Sequence, residues 1–140
     1  MTGTSQSIDI NASAQKVWSV MSELERWPDW APTFHRVSRI SPAAGPGAVY
    51  RIEQPRLPAA RMTVDEWRGG EGFTWSSTKP LLRAQGLHWI EPITGDACRV
   101  RLEFRFERLL APLVWLFIGR LVREYVESET RALKARAEAA

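Results

Sequence analysis

The sequence predicts an α+β fold in which an antiparallel sheet of about seven strands curves around a long C-terminal helix. The first observation is the alternation of apolar and charged residues between Cys98 and Glu107, typical of a strand with one buried face. The second is the stretch after Pro112, which no further proline interrupts as far as Ala140. The third is the series of short turns between candidate strands, because strands joined by short turns pair antiparallel.

The N-terminal part of the chain predicts one strand and two short helices. Residues 5–10 alternate loosely, as a strand does, and Ser13 is a suitable N-cap for a helix. Apolar residues between 17 and 24 recur at helical spacing. Two prolines within residues 27–32 break any long helix, so we expect a short helix or turn whose tryptophans pack inward.

Six further strands and the long helix complete the prediction. The candidate strands are residues 34–40, 48–53, 60–67, 73–77, 82–91 and 98–107, separated by segments rich in Gly and Pro. A terminal helix of roughly 28 residues would be about 42 Å long. It is the only element long enough to cover the sheet, so we expect residues 1–140 to form a single domain.

Charge and cysteine content exclude several classes of function. The net charge is +3, and the basic residues are scattered among acidic ones, which disfavours a nucleic-acid partner. Cys98 is the only cysteine, so no intrachain disulfide can form and a reducing, cytoplasmic location is expected. The spacing of the two histidines and Cys98 predicts no metal site, and no motif indicates a cofactor.

Two motifs give the chain a family resemblance. The runs Ile-Asp-Ile-Asn-Ala-Ser-Ala-Gln-Lys-Val-Trp at residues 8–18 and Trp-Pro-Asp-Trp-Ala-Pro at 27–32 resemble the opening of the SRPBCC superfamily. The resemblance is to its polyketide cyclase/dehydrase and lipid-transport branch, whose fold is START-like and called helix-grip. It implies a deep cavity between the concave sheet and the long helix. It does not assign a function, because the superfamily includes carriers, cyclases, hydrolases and regulatory modules.

The expected cavity also has a geometric reason. A bent sheet and a straight helix cannot touch along their whole length, so a gap remains for a ligand or for some of the seven tryptophans. On the helix, one stripe should face the sheet. The candidate ligand contacts are Tyr50, Met62, Val64, Trp75, His88, Val100, Leu102, Phe104 and the helical stripe Val114, Phe117, Leu121 and Tyr125.

His88 and Tyr125 are the candidates for moving a proton. A histidine has a pKa near neutrality, but His88 faces inward only if Ile90 does, and a shift of one residue turns Trp89 inward instead. Tyr125 could donate a hydrogen bond to a ligand carbonyl, as could Tyr50, or could simply pack.

Three functions remain open. The first is binding or carriage of a small hydrophobic molecule, aromatic, polyketide or lipid-like. The second is a polyketide cyclase/dehydrase-type enzyme, and the third is an interaction module with a filled interior. The apolar run 109–118 is too short to cross a membrane. Trp115 and Leu116 should point away from the sheet and could touch a membrane or a second subunit, although burial under neighbouring segments is favoured.

Overall fold

The computed structural model describes residues 2–139 and has the predicted order of elements. Its helices are α1 (Ala14–Met21), a 3-10 helix (Leu24–Asp29) and α2 (Ala111–Glu138). Its strands are β1 (Gly3–Ile10), β2 (Arg36–Arg39), β3 (Val49–Glu53), β4 (Ala60–Arg68), β5 (Gly72–Thr78), β6 (Arg83–Thr94) and β7 (Ala97–Glu107). The predicted helix-grip architecture is confirmed.

All seven strands form one antiparallel sheet in the order β1-β7-β6-β5-β4-β3-β2. Each strand after β1 pairs with its successor, and the sheet is completed when β1 pairs with β7, with Ile10 opposite Cys98. Strands β2 and β1 are therefore the two edges. This topology places β4, β5 and β6 at the centre of the sheet, and α2 packs mainly against β1 and β7 on one side of it.

The predicted alternation of β7 is confirmed over most of the strand, except that Glu103 and Arg105 are only partly exposed. Cys98, Val100 and Leu102 are buried, whereas Arg99 and Arg101 are exposed. Phe104 is only partly buried, although it belongs to the same inward series. It lines the cavity described below, so its ring is not covered on every side.

The two short helices carry the tryptophan-rich segment into the core. Ser13 caps α1, since its hydroxyl oxygen accepts a hydrogen bond from the backbone N–H of Lys16 at 3.1 Å. In the 3-10 helix, Trp27 is buried and its indole N–H donates to the carbonyl of Met21 at 3.0 Å. Trp30 is half-buried. Trp27 is thus the main anchor of this segment, which is too short to be stable by itself.

The C-terminal half of α2 is held firmly against β1, β7 and α1. The ammonium of Lys134 donates to the carbonyl of Asp9 at 2.8 Å, and the carboxylate of Glu138 accepts from the N–H of Asn11 at 2.8 Å. The side of the helix that faces the sheet is formed by Ala111, Gly119, Val122, Val126, Thr130, Leu133 and Ala137.

The predicted helical stripe is wrong at two positions. Phe117 is 77% exposed and Leu121 is half-buried outside the cavity wall, whereas Ile118 and Val122 take the inward places. The helix is rotated by one position from the prediction. The sequence could not fix this rotation, because residues 109–118 are apolar on nearly every side of the helix.

The outward orientation predicted for Trp115 is also wrong. Its ring packs against Phe106, with centroids 6.3 Å apart, and lies over Gly119. A Cβ atom at position 119 would come within 2.8 Å of the indole, so the glycine provides the space that the ring occupies. Leu116, by contrast, points away from the sheet as predicted, but it is 77% exposed, so the burial under neighbouring segments that the sequence analysis favoured is wrong for this residue.

Candidate ligand-binding cavity

A cavity of about 270 Å³ lies between the concave face of the sheet and α2. Its wall is mostly apolar. The sheet contributes Ile52, Ala60, Met62, Trp75, Ser77, Ala84, Gly86, His88, Leu102, Glu103, Phe104 and Phe106. The helix contributes Val114, Ile118, Val122, Tyr125, Val126 and Glu129, and connecting segments contribute Phe34, Gln54, Leu57, Pro58 and Leu82.

Several predicted contacts line this cavity and others do not. Those in the wall are Met62, Trp75, His88, Leu102, Phe104, Val114 and Tyr125. Tyr50, Val64 and Val100 are buried in the core away from the cavity, so their prediction as contacts is not matched by their position. Alternation fixes the face on which a residue lies, but it does not tell where along the strand the open space begins.

Gly86 was not among the predicted contacts, although its parity with His88 placed it on the inner face. A Cβ atom at this position would lie 2.6 Å from the indole nitrogen of Trp75, on the neighbouring strand β5. The missing side chain therefore lets Trp75 lie across β6 and form part of the cavity wall.

His88 faces inward, which settles the question of register that the sequence left open. Its ring stacks on Phe73 with centroids 4.2 Å apart, and Nδ1 donates to the carbonyl of Phe73 at 3.2 Å. Burial lowers the pKa of His88 to about 4, so the ring is neutral at pH 7. Because Nδ1 carries the proton, Nε2 is an acceptor, and no hydrogen bond within residues 2–139 occupies it.

Tyr125 lines the cavity, but its hydroxyl is already engaged. It donates a hydrogen bond to the carbonyl of Pro55, in the loop between β3 and β4. Burial raises the pKa of the Tyr125 phenol, so the group keeps its proton. Its predicted use as a donor to a ligand carbonyl is therefore not supported by the geometry. The bond instead ties α2 to the β3–β4 loop.

Glu129 is a polar residue of the wall that the sequence analysis missed. It lies one turn after Tyr125 on α2 and borders both the cavity and an adjoining pocket of about 10 Å³. One carboxylate oxygen accepts a hydrogen bond from the hydroxyl of Thr33 at 2.9 Å. Burial raises the pKa of Glu129 to about 7. Its spacing of four residues from Tyr125 was the signal that could have found it.

The family model described as polyketide cyclase / dehydrase and lipid transport matches residues 1–138. The chain belongs to this family. No curated protein matches the chain significantly. The family resemblance read from residues 8–18 and 27–32 is therefore confirmed over nearly the whole chain.

Solved structures agree with this family membership at the level of the fold. The START superfamily protein from Mycobacterium smegmatis has a TM-score of 0.78 and 19% identity, covering 97% of both chains. The Zhui aromatase/cyclase from a Streptomyces species has a TM-score of 0.72 and 17% identity, covering 97% of this chain and 93% of that one. The di-domain ARO/CYC BexL has a TM-score of 0.77 and 20% identity. The match covers 99% of this chain but only 47% of BexL, so the chain spans about half the length of that protein.

The mouth of the cavity in this family member lies beside the first turns of α2. Val114 and Ile118 line the cavity and are partly exposed, as are Leu57 in the β3–β4 loop and Leu82 in the β5–β6 loop. Exposed apolar side chains are close to Leu82, Val114 and Ile118 in the chain. We call this set the mouth patch, and its residues are Leu81, Leu109, Leu110, Leu113, Leu116 and Phe117.

Two features are absent from residues 2–139, the part of the chain that the structure describes. No group of three or more His, Cys, Asp and Glu side chains in this part of the chain could hold a metal ion. No helix in the same range is long and apolar enough to span a bilayer.

Proposed function

We propose that this protein binds a small hydrophobic molecule inside its cavity. The observation that carries the proposal is a partly open space of about 270 Å³ with a mostly apolar wall. Ligand sites for small molecules are typically of this order, about 300–1,000 Å³, and are lined by apolar and aromatic side chains with a few polar groups. The open space favours this proposal over an interaction module with a filled interior.

The test compares two adjacent positions on α2. Val122 lines the cavity and is 5% exposed, so a larger side chain there extends toward the cavity and not into solvent. Leu121 lies outside the wall and serves as the matched control. We expect Val122→Phe to weaken binding of the neutral probe N-phenyl-1-naphthylamine by tenfold or more, and Leu121→Phe to change it less than about twofold.

Fluorescence titration measures both affinities, and circular dichroism checks that both variants are folded. Equal binding by the two variants would show that the probe does not occupy the cavity. Native mass spectrometry of freshly purified protein would then look for a co-purified molecule, which Val122→Phe should reduce and Leu121→Phe should retain.

A cyclase/dehydrase-type reaction is the second candidate function. The observation that favours it is the presence of two proton-exchanging groups, His88 and Glu129, in one cavity wall. Their pKa values are displaced in opposite directions by burial, to about 4 and about 7. Incubation with a linear poly-β-ketone thioester, followed by mass spectrometry, would detect loss of water. If His88→Phe and Glu129→Leu both form the product as the wild type does, neither side chain takes part in the reaction.

We further propose that the mouth patch rests on a lipid surface while ligand enters or leaves. Leu109, Leu116 and Phe117 are each 77–78% exposed beside the opening. Lys79, Arg108 and Arg123 are exposed around them, and no ion pair within residues 2–139 neutralises these three. Leucine and phenylalanine surrounded by cations suit an anionic membrane surface.

The lipid contact is tested by sedimentation with phosphatidylcholine vesicles that contain 30% phosphatidylserine. We expect Leu116→Glu to reduce the bound fraction severalfold. Ile93→Glu is the control, since Ile93 is also exposed (49%) but lies at the other end of β6. Equal binding by both variants would contradict the proposal. Should the wild type instead form a dimer that Leu116→Glu dissociates, a second copy of the chain would be the partner.

A further inference from the structure

The inner end of the cavity holds a carboxyl group that has no cationic partner. Glu129 makes no ion pair within residues 2–139, and its single hydrogen bond there is the one from Thr33 to Oε2. The side chain borders both the main cavity and the small pocket beyond it. An unpaired carboxyl group among apolar side chains costs free energy, so its position calls for a reason.

A second free acceptor lies in the same region. His88 borders both cavities as well, and its Nε2 has no partner because Nδ1 donates to Phe73. No hydrogen bond or ion pair joins His88 to Glu129 within the described chain. Within residues 2–139, no fully enclosed side-chain nitrogen or oxygen lacks a hydrogen-bond partner. The free atoms, Oε1 of Glu129 and Nε2 of His88, are therefore open to the cavities and not sealed by protein.

Most donors near this inner end are already used within the protein. The hydroxyl of Thr33 donates a hydrogen bond to the carboxylate of Glu129. The hydroxyl of Tyr125 donates to the carbonyl of Pro55, and the indole N–H of Trp27 donates to the carbonyl of Met21. The indole N–H groups of Trp75 and Trp30 make no hydrogen bond within residues 2–139, and neither donates to Glu129 or His88. Oε1 of Glu129 and Nε2 of His88 therefore receive no hydrogen bond from the described part of the protein, and a ligand can supply the missing donor.

We infer that the inner end of the cavity recognises a hydroxyl, phenol or amine group on an otherwise apolar ligand, and that Glu129 accepts its hydrogen bond. This inference rests on the proposed function, since it concerns the same cavity. The ligand class is an aromatic or alicyclic molecule with one donor group at the end that enters first. Both the ionised and the protonated carboxyl group have an oxygen that can accept such a bond. Thr33 positions the carboxyl group by holding Oε2.

The test uses two probes that differ in one group, 2-naphthol and 2-methylnaphthalene, each displacing N-phenyl-1-naphthylamine. We expect the wild type to bind 2-naphthol about tenfold more tightly than 2-methylnaphthalene. In Glu129→Leu, the preference should fall to about twofold or less, while 2-methylnaphthalene still binds. Glu124→Leu is the matched control on an exposed position of the same helix and should keep the preference.

The outcomes separate this inference from the proposed function. A preference that persists in folded Glu129→Leu would overturn the inference and leave cavity binding intact. Failure of the wild type to bind either probe would overturn the proposed function itself. If circular dichroism shows that Glu129→Leu is not folded, Glu129→Met, whose side chain has a similar length, decides in the same way. Thr33→Val should reduce the preference without removing binding of 2-methylnaphthalene, and an unchanged preference would overturn the positioning role of Thr33.

Discussion

Both ends of the cavity contain apolar and aromatic side chains, but these side chains are buried at the inner end and exposed at the mouth. At the inner end, Trp27 packs against Phe34, Trp75 and His88, with ring centroids 5.1–5.5 Å apart, and all four residues are buried. At the mouth, the leucines of the first turns of α2 extend into solvent. Aromatic packing therefore stabilises one end, while apolar side chains at the other end contribute little to folding.

The difference teaches that an apolar residue cannot be assigned to the core by its type alone. The inner end is enclosed by the 3-10 helix, β5 and β6, so every ring there meets another ring. The first turns of α2 have no element packed over their outer side among the described residues, and Leu113, Leu116 and Phe117 remain exposed. Exposed apolar surface of this kind is a mark of interaction sites.

The largest expected effect on stability is at the inner end. Trp27→Ala should lower the free energy of unfolding by about 3–5 kcal/mol, because it removes a buried indole and its contacts with five neighbouring rings. Leu116→Ala, at the mouth, should change it by less than about 0.5 kcal/mol. Urea unfolding at pH 7 measures both. Similar losses in the two variants would mean that the mouth patch is packed in solution.

A second effect depends on pH and arises from His88 and Glu129 at the inner end. Burial raises the pKa of Glu129 from 4.5 to about 7, so between these values the folded state holds a proton that the unfolded state has lost. This contribution lowers stability as the pH rises. Burial lowers the pKa of His88 from 6.5 to about 4, so the unfolded state takes up a proton that the folded state excludes. This contribution lowers stability as the pH falls.

The two contributions oppose each other between about pH 4.5 and 6.5, and each amounts to about 3 kcal/mol over its full range. They should nearly cancel in the wild type. In Glu129→Leu, only the histidine remains, and stability should rise with pH from about 4 to 6.5. In His88→Phe, stability should fall with pH from about 4.5 to 7. Urea midpoints at pH 4.5, 5.5 and 6.5 measure these slopes, and a flat profile for Glu129→Leu would contradict the burial of His88.

A third comparison distinguishes the two faces of β7. Leu102→Ala should cost about 2–4 kcal/mol, because the side chain is buried, although part of it faces the cavity and has less packing to lose. Arg101→Ala, on the exposed face, should cost less than about 0.5 kcal/mol. Thermal unfolding measures the loss of stability in both variants, and circular dichroism checks that both are folded beforehand. Equal costs would show that the inner and outer faces of β7 are assigned the wrong way round.

The sequence alone determined the architecture of this protein. Alternation in β7, short turns and one long helix without interruption restrict the chain to an antiparallel sheet with a helical cover, since each pattern has one period. It also indicated His88 as an inward residue, on condition that Ile90 faced the same way. The period of each element and the face on which His88 lies are local properties, because neighbouring residues in the chain determine them.

Only the tertiary structure decided what fills the cavity wall. The rotation of α2 follows from the fit of Trp115 over Gly119 and from the anchoring of its C-terminal half by Lys134 and Glu138. That rotation takes Phe117 outward and places Ile118 and Val122 in the cavity wall. These contacts join residues that are distant in the chain or ambiguous in helical phase. No periodic pattern encodes them, because they depend on how two surfaces fit together.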